Sequence, residues 1–368
     1  MSEPRVDVNL LASDAPAADC GDARRAAWEL YGIEAAATAI AGERDANFLL
    51  TAENRPPRGT AFFNRADERP RWMLKFINPA EDSAESDFQD ALLRHVARRD
   101  PGLPVPRLIS GSTAGEGPHY TLGERRLRVR LVTWLAGTSL DKVTMSPKLL
   151  GTLGSGLARL DLALASFRHP ASGRTLLWNG SQPGRARPYL PLLDDMEQRP
   201  VLEALLDRLE EQLPLRLKAV PHQVIHNDFN PHNVLIDAEA DALGGIIDFG
   251  DALYGPRVNE LATALAYQVS DEGDVMARMP AFVAGYQRVL PLTDEEIRLL
   301  PMLIAARLAL SVILTQWRAQ RYPANRAYIL RHRVRAWSGL QRWRAIGDDS
   351  IADRLASAAM ERTGYVQR

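Results

Sequence analysis

The sequence predicts an α+β protein of two lobes, a small β-rich lobe first and a larger, mostly helical lobe after it. Two observations predict this. Up to Trp134, apolar residues alternate in short runs bounded by Gly, Pro and charged turns, the period of half-buried strands. After Leu140 they recur at helical spacing, broken only by two short β-forming stretches. At 368 residues the chain is long enough for two lobes sharing a cleft.

In order, residues 1–22 read as a loose arm, 23–134 as the first lobe and 135–368 as the second. Ala23 to Tyr31 is a helix that stops at Gly32. Ala35–Ile40 and Asn47–Thr51 are strands around the turn Gly42–Asp45, and Glu53–Pro70 is a long hairpin excursion. Arg71–Ile77 is the next strand. Ser83–Arg99 is a helix with Phe88, Leu92 and Val96 on one stripe. Pro104-Val-Pro106 starts another strand, and Arg126–Trp134 alternates as a further one. Leu299–Trp317 is apolar enough to raise a membrane span, but Pro301 and the central Arg307 favour a buried core helix.

Composition excludes several classes. A net charge of −1 implies no nucleic acid or other polyelectrolyte as partner. Cys20 stands alone, so no internal disulfide forms, and a reducing cytoplasm fits. The first residues carry no apolar signal-like run. No membrane is expected, and oligomeric state is not legible.

Chemistry concentrates in two runs. His226-Asn-Asp228-Phe-Asn-Pro-His-Asn233 reads H-x-D-x-x-x-x-N, and Asp248-Phe-Gly250 closes the apolar stretch Gly245-Ile-Ile247. The β-formers Gln223–Ile225 and Val234–Ile236 flank the first run. In kinase chemistry the first Asp accepts the acceptor's hydroxyl proton, while the Asn and second Asp hold the metal bridging the nucleotide phosphates. Carboxylate and amide oxygens suit Mg²⁺. Either run alone is weak; the ordered pair, one hairpin apart, is strong. The plain alternative makes Asp228 and Asn233 turn residues beside Pro231 and Asp248 a strand-end cap.

On these residues, with the second acid of Asp248-Phe-Gly-Asp251 and the Tyr254-Gly255 that follows, the stretch 221–268 resembles the aminoglycoside phosphotransferase/choline kinase superfamily, in its hydroxylysine-kinase-like branch. The resemblance runs more weakly from Gly42 to Trp343. It implies a protein-kinase-like fold whose hinge is Thr133–Gly137, with backbone groups at Thr133 and Leu135 reading the base of ATP or GTP. It also implies Asp228 as the residue meeting the hydroxyl, with His226 bracing the loop by hydrogen bonding. Asn233 and Asp248 would hold Mg²⁺, and Asp251 would assist the metal or a substrate amine.

Lys75 is the only lysine in the first 140 residues and sits mid-strand in Met73–Ile77. A charge there needs a partner: the nucleotide phosphates and a helix carboxylate, unless it merely faces solvent. That carboxylate is Glu85 by helical spacing or Asp87 by resemblance, with Gln89 two residues on. The Gly42–Asn47 turn matches the phosphate-covering loop in position, though it equally fits a plain hairpin turn.

Candidate acceptor contacts are Trp178, which the resemblance points to because the segment Phe167–Asn179 ends, like a family segment, in a Trp-Asn pair, then Asp251 and Tyr254, and Arg307 with the arginine-rich stretch 318–344. That stretch holds no acidic residue and reads as a solvated basic face or as a carboxylate clamp. Arg307, lone in an apolar helix, either clamps a substrate carboxylate or bridges to Glu260 or another acid. The expected function is a Mg²⁺-dependent kinase of a small hydroxylated amino acid or amine, hydroxylysine-like or homoserine-like. An aminoglycoside phosphotransferase and a non-catalytic nucleotide-binding scaffold are the alternatives. A protein kinase is disfavoured by the missing G-x-G-x-x-G.

Overall fold

The computed structural model describes residues 13–42, 44–53, 69–111, 117–270, 272–321 and 326–360. Most of the expected excursion at 53–70, most of the arm, and residues 322–325 of the arginine-rich stretch lie outside them.

Helix α1 (Cys20–Tyr31) starts three residues earlier than its apolar pattern suggests, so the end of the expected arm is helical. The cause is a capping box: Asp19 and Asp22 each accept the other's backbone N–H. Gly32, at φ 65°, ends the helix in the left-handed conformation that glycine adopts without strain. Ala23, Ala26, Ala27 and Leu30 of α1 pack with an antiparallel sheet of five strands. These are β1 (Ala35–Ile40), β2 (Ala46–Ala52), β3 (Arg71–Phe76), β4 (His119–Leu122) and β5 (Arg125–Thr133), in the order β1-β2-β3-β5-β4. Lys75 of β3 lies between Asn47 of β2 and Arg130 of β5.

The strand expected from Pro104 is not formed. Only Leu108 makes an isolated bridge, to Val132. Prolines at 104 and 106 remove two ladder donors, so the segment makes only scattered backbone bonds, such as the Pro104 carbonyl accepting the Ile246 N–H at 2.9 Å, instead of a regular ladder.

Helix α2 (Ser83–Arg99) follows β3. Its stripe of Phe88, Leu92, Leu93 and Val96 joins the core of the large lobe rather than that of the sheet. Its other side holds the sheet by charge. Arg130 Nε donates to Asp90 at 2.6 Å, and Arg128 donates to Asp90 and Asp87, each at 2.7 Å.

The second lobe contains β6 (Thr138–Ser139), α3 (Pro147–Leu164), α4 (Gln198–Leu217), β7 (His222–Ile225), β8 (Val234–Asp237), β9 (Ala242–Ile246) and β10 (Leu253–Pro256). Then come α5 (Arg257–Ala266), α6 (Met279–Val289), α7 (Asp294–Arg321), α8 (Arg326–Ile346) and α9 (Asp348–Met360). The Gly- and Pro-rich chain between α3 and α4 forms 3₁₀ turns at Pro170–Gly173 and Pro183–Leu192. Two small antiparallel sheets, β10-β7 and β6-β8-β9, set the motif loops on a helical base. Helix α7 is long and apolar enough to cross a membrane, but 89% of its most apolar window is buried within the fold, as expected of a core helix.

Candidate active site

The loop between β7 and β8 carries the first motif. Its second residue, Asn227, has φ 65°, a strained value for a residue with a side chain. The strain is held from below: the Asn227 N–H donates to Glu260 Oε2 at 2.7 Å, and Asn259 Nδ2 donates to Asn227 Oδ1 at 3.1 Å. Glu260, at the start of α5, is fully buried, and burial pushes its carboxyl above the ordinary range.

His226 braces the two motifs together. Its Nδ1 accepts the Asp228 N–H at 3.2 Å, so the proton sits on Nε2, which donates to the Ile247 carbonyl at 3.0 Å. The ring meets Phe249 edge-on, with centroids 4.7 Å apart. The Ile247 N–H in turn donates to the Asn233 carbonyl at 2.9 Å. The D-F-G turn is strained as well, with Asp248 at φ 61°.

Asp228 is half-buried, and both of its oxygens are engaged. Oδ1 accepts Arg307 Nη2 at 2.7 Å; Oδ2 accepts Asn230 Nδ2 and Asn233 Nδ2, each at 2.8 Å. Desolvation raises its carboxyl to about 7 and is the dominant effect, opposed by the Arg307 charge and assisted by Asp251 and Asp248 nearby. Asp248 moves the other way. Packing around the cleft raises it, but Lys75 and Arg44 together hold it below the ordinary range.

The facing wall comes from the sheet. Lys75 Nζ stands 3.9 Å from Asp45 Oδ2, and Arg44 Nη2 crosses the cleft to Asp251 Oδ1 at 3.1 Å. The helix carboxylates expected beside Lys75 are placed elsewhere. Glu85 meets Arg174 at 3.1 Å, and Arg174 Nη1 also donates to the Gly250 carbonyl at 2.9 Å. Asp87 meets Arg128, and Gln89 Oε1 accepts Arg130 Nη1 at 2.8 Å. The reason is the turn of α2: its apolar stripe packs into the large lobe, which sets Glu85 beside the segment after α3.

Residues 54–300 match the family described as phosphotransferase enzyme family. The chain belongs to that family. Mouse hydroxylysine kinase (Mus musculus) is 28% identical over 242 residues, 63% of this chain and 64% of that protein, just under two thirds of the relative's length. Homoserine kinase of Rhodospirillum rubrum is 30% identical over 284 residues, 75% of this chain and 77% of that protein. Among solved structures, an amicoumacin kinase superposes with a TM-score of 0.64 at 16% identity, covering 87% of this chain and 93% of the other, which shows the protein-kinase-like fold. The expected phosphotransferase family is borne out, and so is the two-lobe, protein-kinase-like fold.

Within this family member, the oxygen donors suit a hard cation. The Asn233 Nδ2 is committed to Asp228, which leaves the amide Oδ1 for a metal, and the nearby Lys75 and Arg44 charges hold the Asp248 carboxyl below the ordinary range. Among the described residues no group of three His, Cys, Asp or Glu side chains forms a metal cage. A site of one carboxylate and one amide, completed by phosphates and water, is the pattern Mg²⁺ uses.

Other expected contacts are placed with more variety. Trp178 lines Arg307, whose guanidinium carbon lies 5.3 Å from its ring centre, and the Trp178 carbonyl accepts Arg307 Nη1 at 2.9 Å. Arg307 is therefore not an open carboxylate clamp; the acid it bridges is Asp228, not Glu260. Tyr254 is exposed, and its ring sits 6.1 Å from that of His222. Thr133 is tied to the chain edge: its N–H donates to the Arg107 carbonyl and its Oγ1 accepts the Arg107 N–H, both at 2.9 Å, so that donor does not face a base. Leu135 is buried and packs over Gly245 of β9. In the arginine-rich stretch, Arg333 donates to Gln316 and Gln198, and Arg342 donates to the carbonyls of Ser270 and Gly273. These two arginines tie α8 to neighbouring segments of the fold. Tyr267, Asn230, Arg44 and Arg174 had no assigned role in the sequence reading; only their joint contacts in three dimensions mark them.

Proposed function

We propose that this chain is a kinase that moves the γ-phosphoryl group of ATP or GTP, in the presence of Mg²⁺, to the hydroxyl of a small hydroxylated amino acid or amine. The observation that supports it is the 2.9 Å bond from Ile247 to Asn233, which joins the two motifs into one wall carrying Asp228, Asn233 and Asp248. The names of the relatives, hydroxylysine kinase and homoserine kinase, support the acceptor class.

Asp228 orients the acceptor hydroxyl and takes its proton as the new oxygen–phosphorus bond forms and the bond to the β-phosphate oxygen breaks. Lys75 and Arg44 meet the phosphates from the sheet side and oppose their charge. Asn233 and Asp248 would hold the metal, which when bound neutralises charge on the phosphates. Asp251, now joined to Arg44, would receive an acceptor ammonium. His226 holds the loop and does not touch the acceptor. Catalysis is mainly positioning and charge compensation.

The test is a nucleotide-consumption panel of hydroxylysine, homoserine, choline and aminoglycosides with ATP and GTP. Turnover of a hydroxylated amino acid or amine is expected, and Asp228→Ala should lower it by about 10²- to 10⁴-fold while nucleotide binding persists. Turnover of aminoglycosides alone, or near-normal activity of Asp228→Ala, would overturn the reading. A chain that binds nucleotide but phosphorylates nothing would be a scaffold.

A further inference from the structure

Arg307 is the most tightly enclosed cation near the cleft. Its side chain is 3% exposed, on the apolar helix α7. The rings of Trp178 and Tyr267 lie 5.3 and 5.6 Å from its guanidinium carbon. Nη1 donates to the Trp178 carbonyl at 2.9 Å, and Nη2 to the Tyr267 hydroxyl at 3.1 Å and to Asp228 Oδ1 at 2.7 Å. A planar fork held at this many points has one orientation. Nε has no partner but is buried behind the rings, so an acceptor carboxylate meeting the fork at Nη2 would compete with the carboxylate that the reaction needs.

We infer that Arg307 is a positioning residue for Asp228: it anchors Oδ1 so that the carboxylate meets the acceptor hydroxyl at one angle, and it does not bind an acceptor carboxylate. Tyr267 and Trp178 act through it, as the clamp that fixes the guanidinium. The inference rests on the reading of Asp228 as the group that meets the hydroxyl. It removes the acceptor carboxylate from the list of groups Arg307 recognises, although both named relatives act on amino acids by their names.

The experiment compares Arg307→Gln and Arg307→Lys with the parent, using acceptors that differ only in a carboxylate: hydroxylysine against hydroxycadaverine, and homoserine against aminopropanol. Steady-state kinetics are read at saturating Mg²⁺ and nucleotide, with nucleotide affinity from calorimetry as the check on folding. A misplaced catalytic group is expected to lower kcat by about 10²-fold in the Gln variant. The loss should be alike with and without the carboxylate, with KM nearly unchanged, and the Lys variant should recover part of it. A rise in KM confined to the carboxylated acceptors, with kcat retained, would overturn the inference and make Arg307 a clamp. If the Gln variant does not bind nucleotide, the Lys variant decides: reduced kcat at constant KM supports positioning, and parental kcat refutes it. Loss of activity in Asp228→Ala together with unaffected Arg307 variants sinks this inference alone. Persistent activity in Asp228→Ala sinks the kinase mechanism beneath it.

Discussion

On one wall of the cleft, Asp228 receives Arg307 at 2.7 Å, and the arginine side chain is 3% exposed between two aromatic rings. On the other wall, Lys75 stands 3.9 Å from Asp45 with its side chain 25% exposed, and Arg44, equally exposed, reaches Asp251. The first wall is fixed by a buried arginine that holds the half-buried Asp228. The second is held by ion pairs that an incoming polyanion can replace, because exposed pairs contribute little on their own. Under the proposed function, the acceptor side would be set before any ligand arrives, while the phosphate side would exchange protein carboxylates for phosphates when it fills.

Removing Lys75 should give the largest difference between the walls. Lys75→Met is expected to lower kcat/KM for the nucleotide by about 10²- to 10³-fold with almost no change in Tm. A Tm drop matching that of a core mutation would show that Lys75 is structural and erase the contrast.

Glu260→Ala attacks the fixed wall from beneath. It leaves the buried N–H of Asn227 without its acceptor at a strained backbone position. A loss of about 1–3 kcal/mol in denaturant unfolding is expected, together with lower kcat. Unchanged stability would mean that the loop does not depend on this carboxylate.

Asp161→Asn sharpens the same wall through pH. Asp161 is fully buried on α3, accepts the Tyr286 hydroxyl at 2.6 Å and is raised well above its ordinary value, by burial first and the nearby Glu260 second. A carboxyl raised on folding keeps its proton in the native state where the unfolded chain has lost it. Stability therefore falls as pH rises from the unfolded value toward the raised folded one. The Asn variant should show a flatter fall of Tm over that window; an identical pH profile would count against the buried proton.

The smallest effect belongs to the exchangeable wall. A double-mutant cycle on Arg44→Ala and Asp251→Ala in the free protein should give a coupling of about 0.2–1 kcal/mol, weakened by salt. A larger, salt-resistant coupling would place this pair with the fixed wall.

What the sequence disclosed follows from chain distance. Asp228, Asn233 and Asp248 are brought together by the β8–β9 hairpin, so their spacing alone announces the site. Lys75 was visible as the only early lysine in an apolar strand. Arg307 stood out as a charge in an apolar helix, but its partner is 79 positions away and belongs to the motif itself, which no periodicity reveals. The Lys75 partner was misjudged for a different reason. Helical spacing puts Glu85 on the stripe with Phe88 and Leu92, yet cannot say that this stripe faces the large lobe. Strand β4, only four residues long, is too short for alternation to register.

The placement of α2 also governs how the chain can be divided. In sequence it lies inside the first lobe, but its greasy side is shared with the second. A fragment ending near Trp134 would carry Phe88, Leu92, Leu93 and Val96 into water, and a fragment beginning there would leave an open trough beside α3. Each piece alone would be sticky, and mixing the two should restore one soluble particle better than either half achieves by itself. The covalent order of the lobes and the grain of the molecule do not coincide.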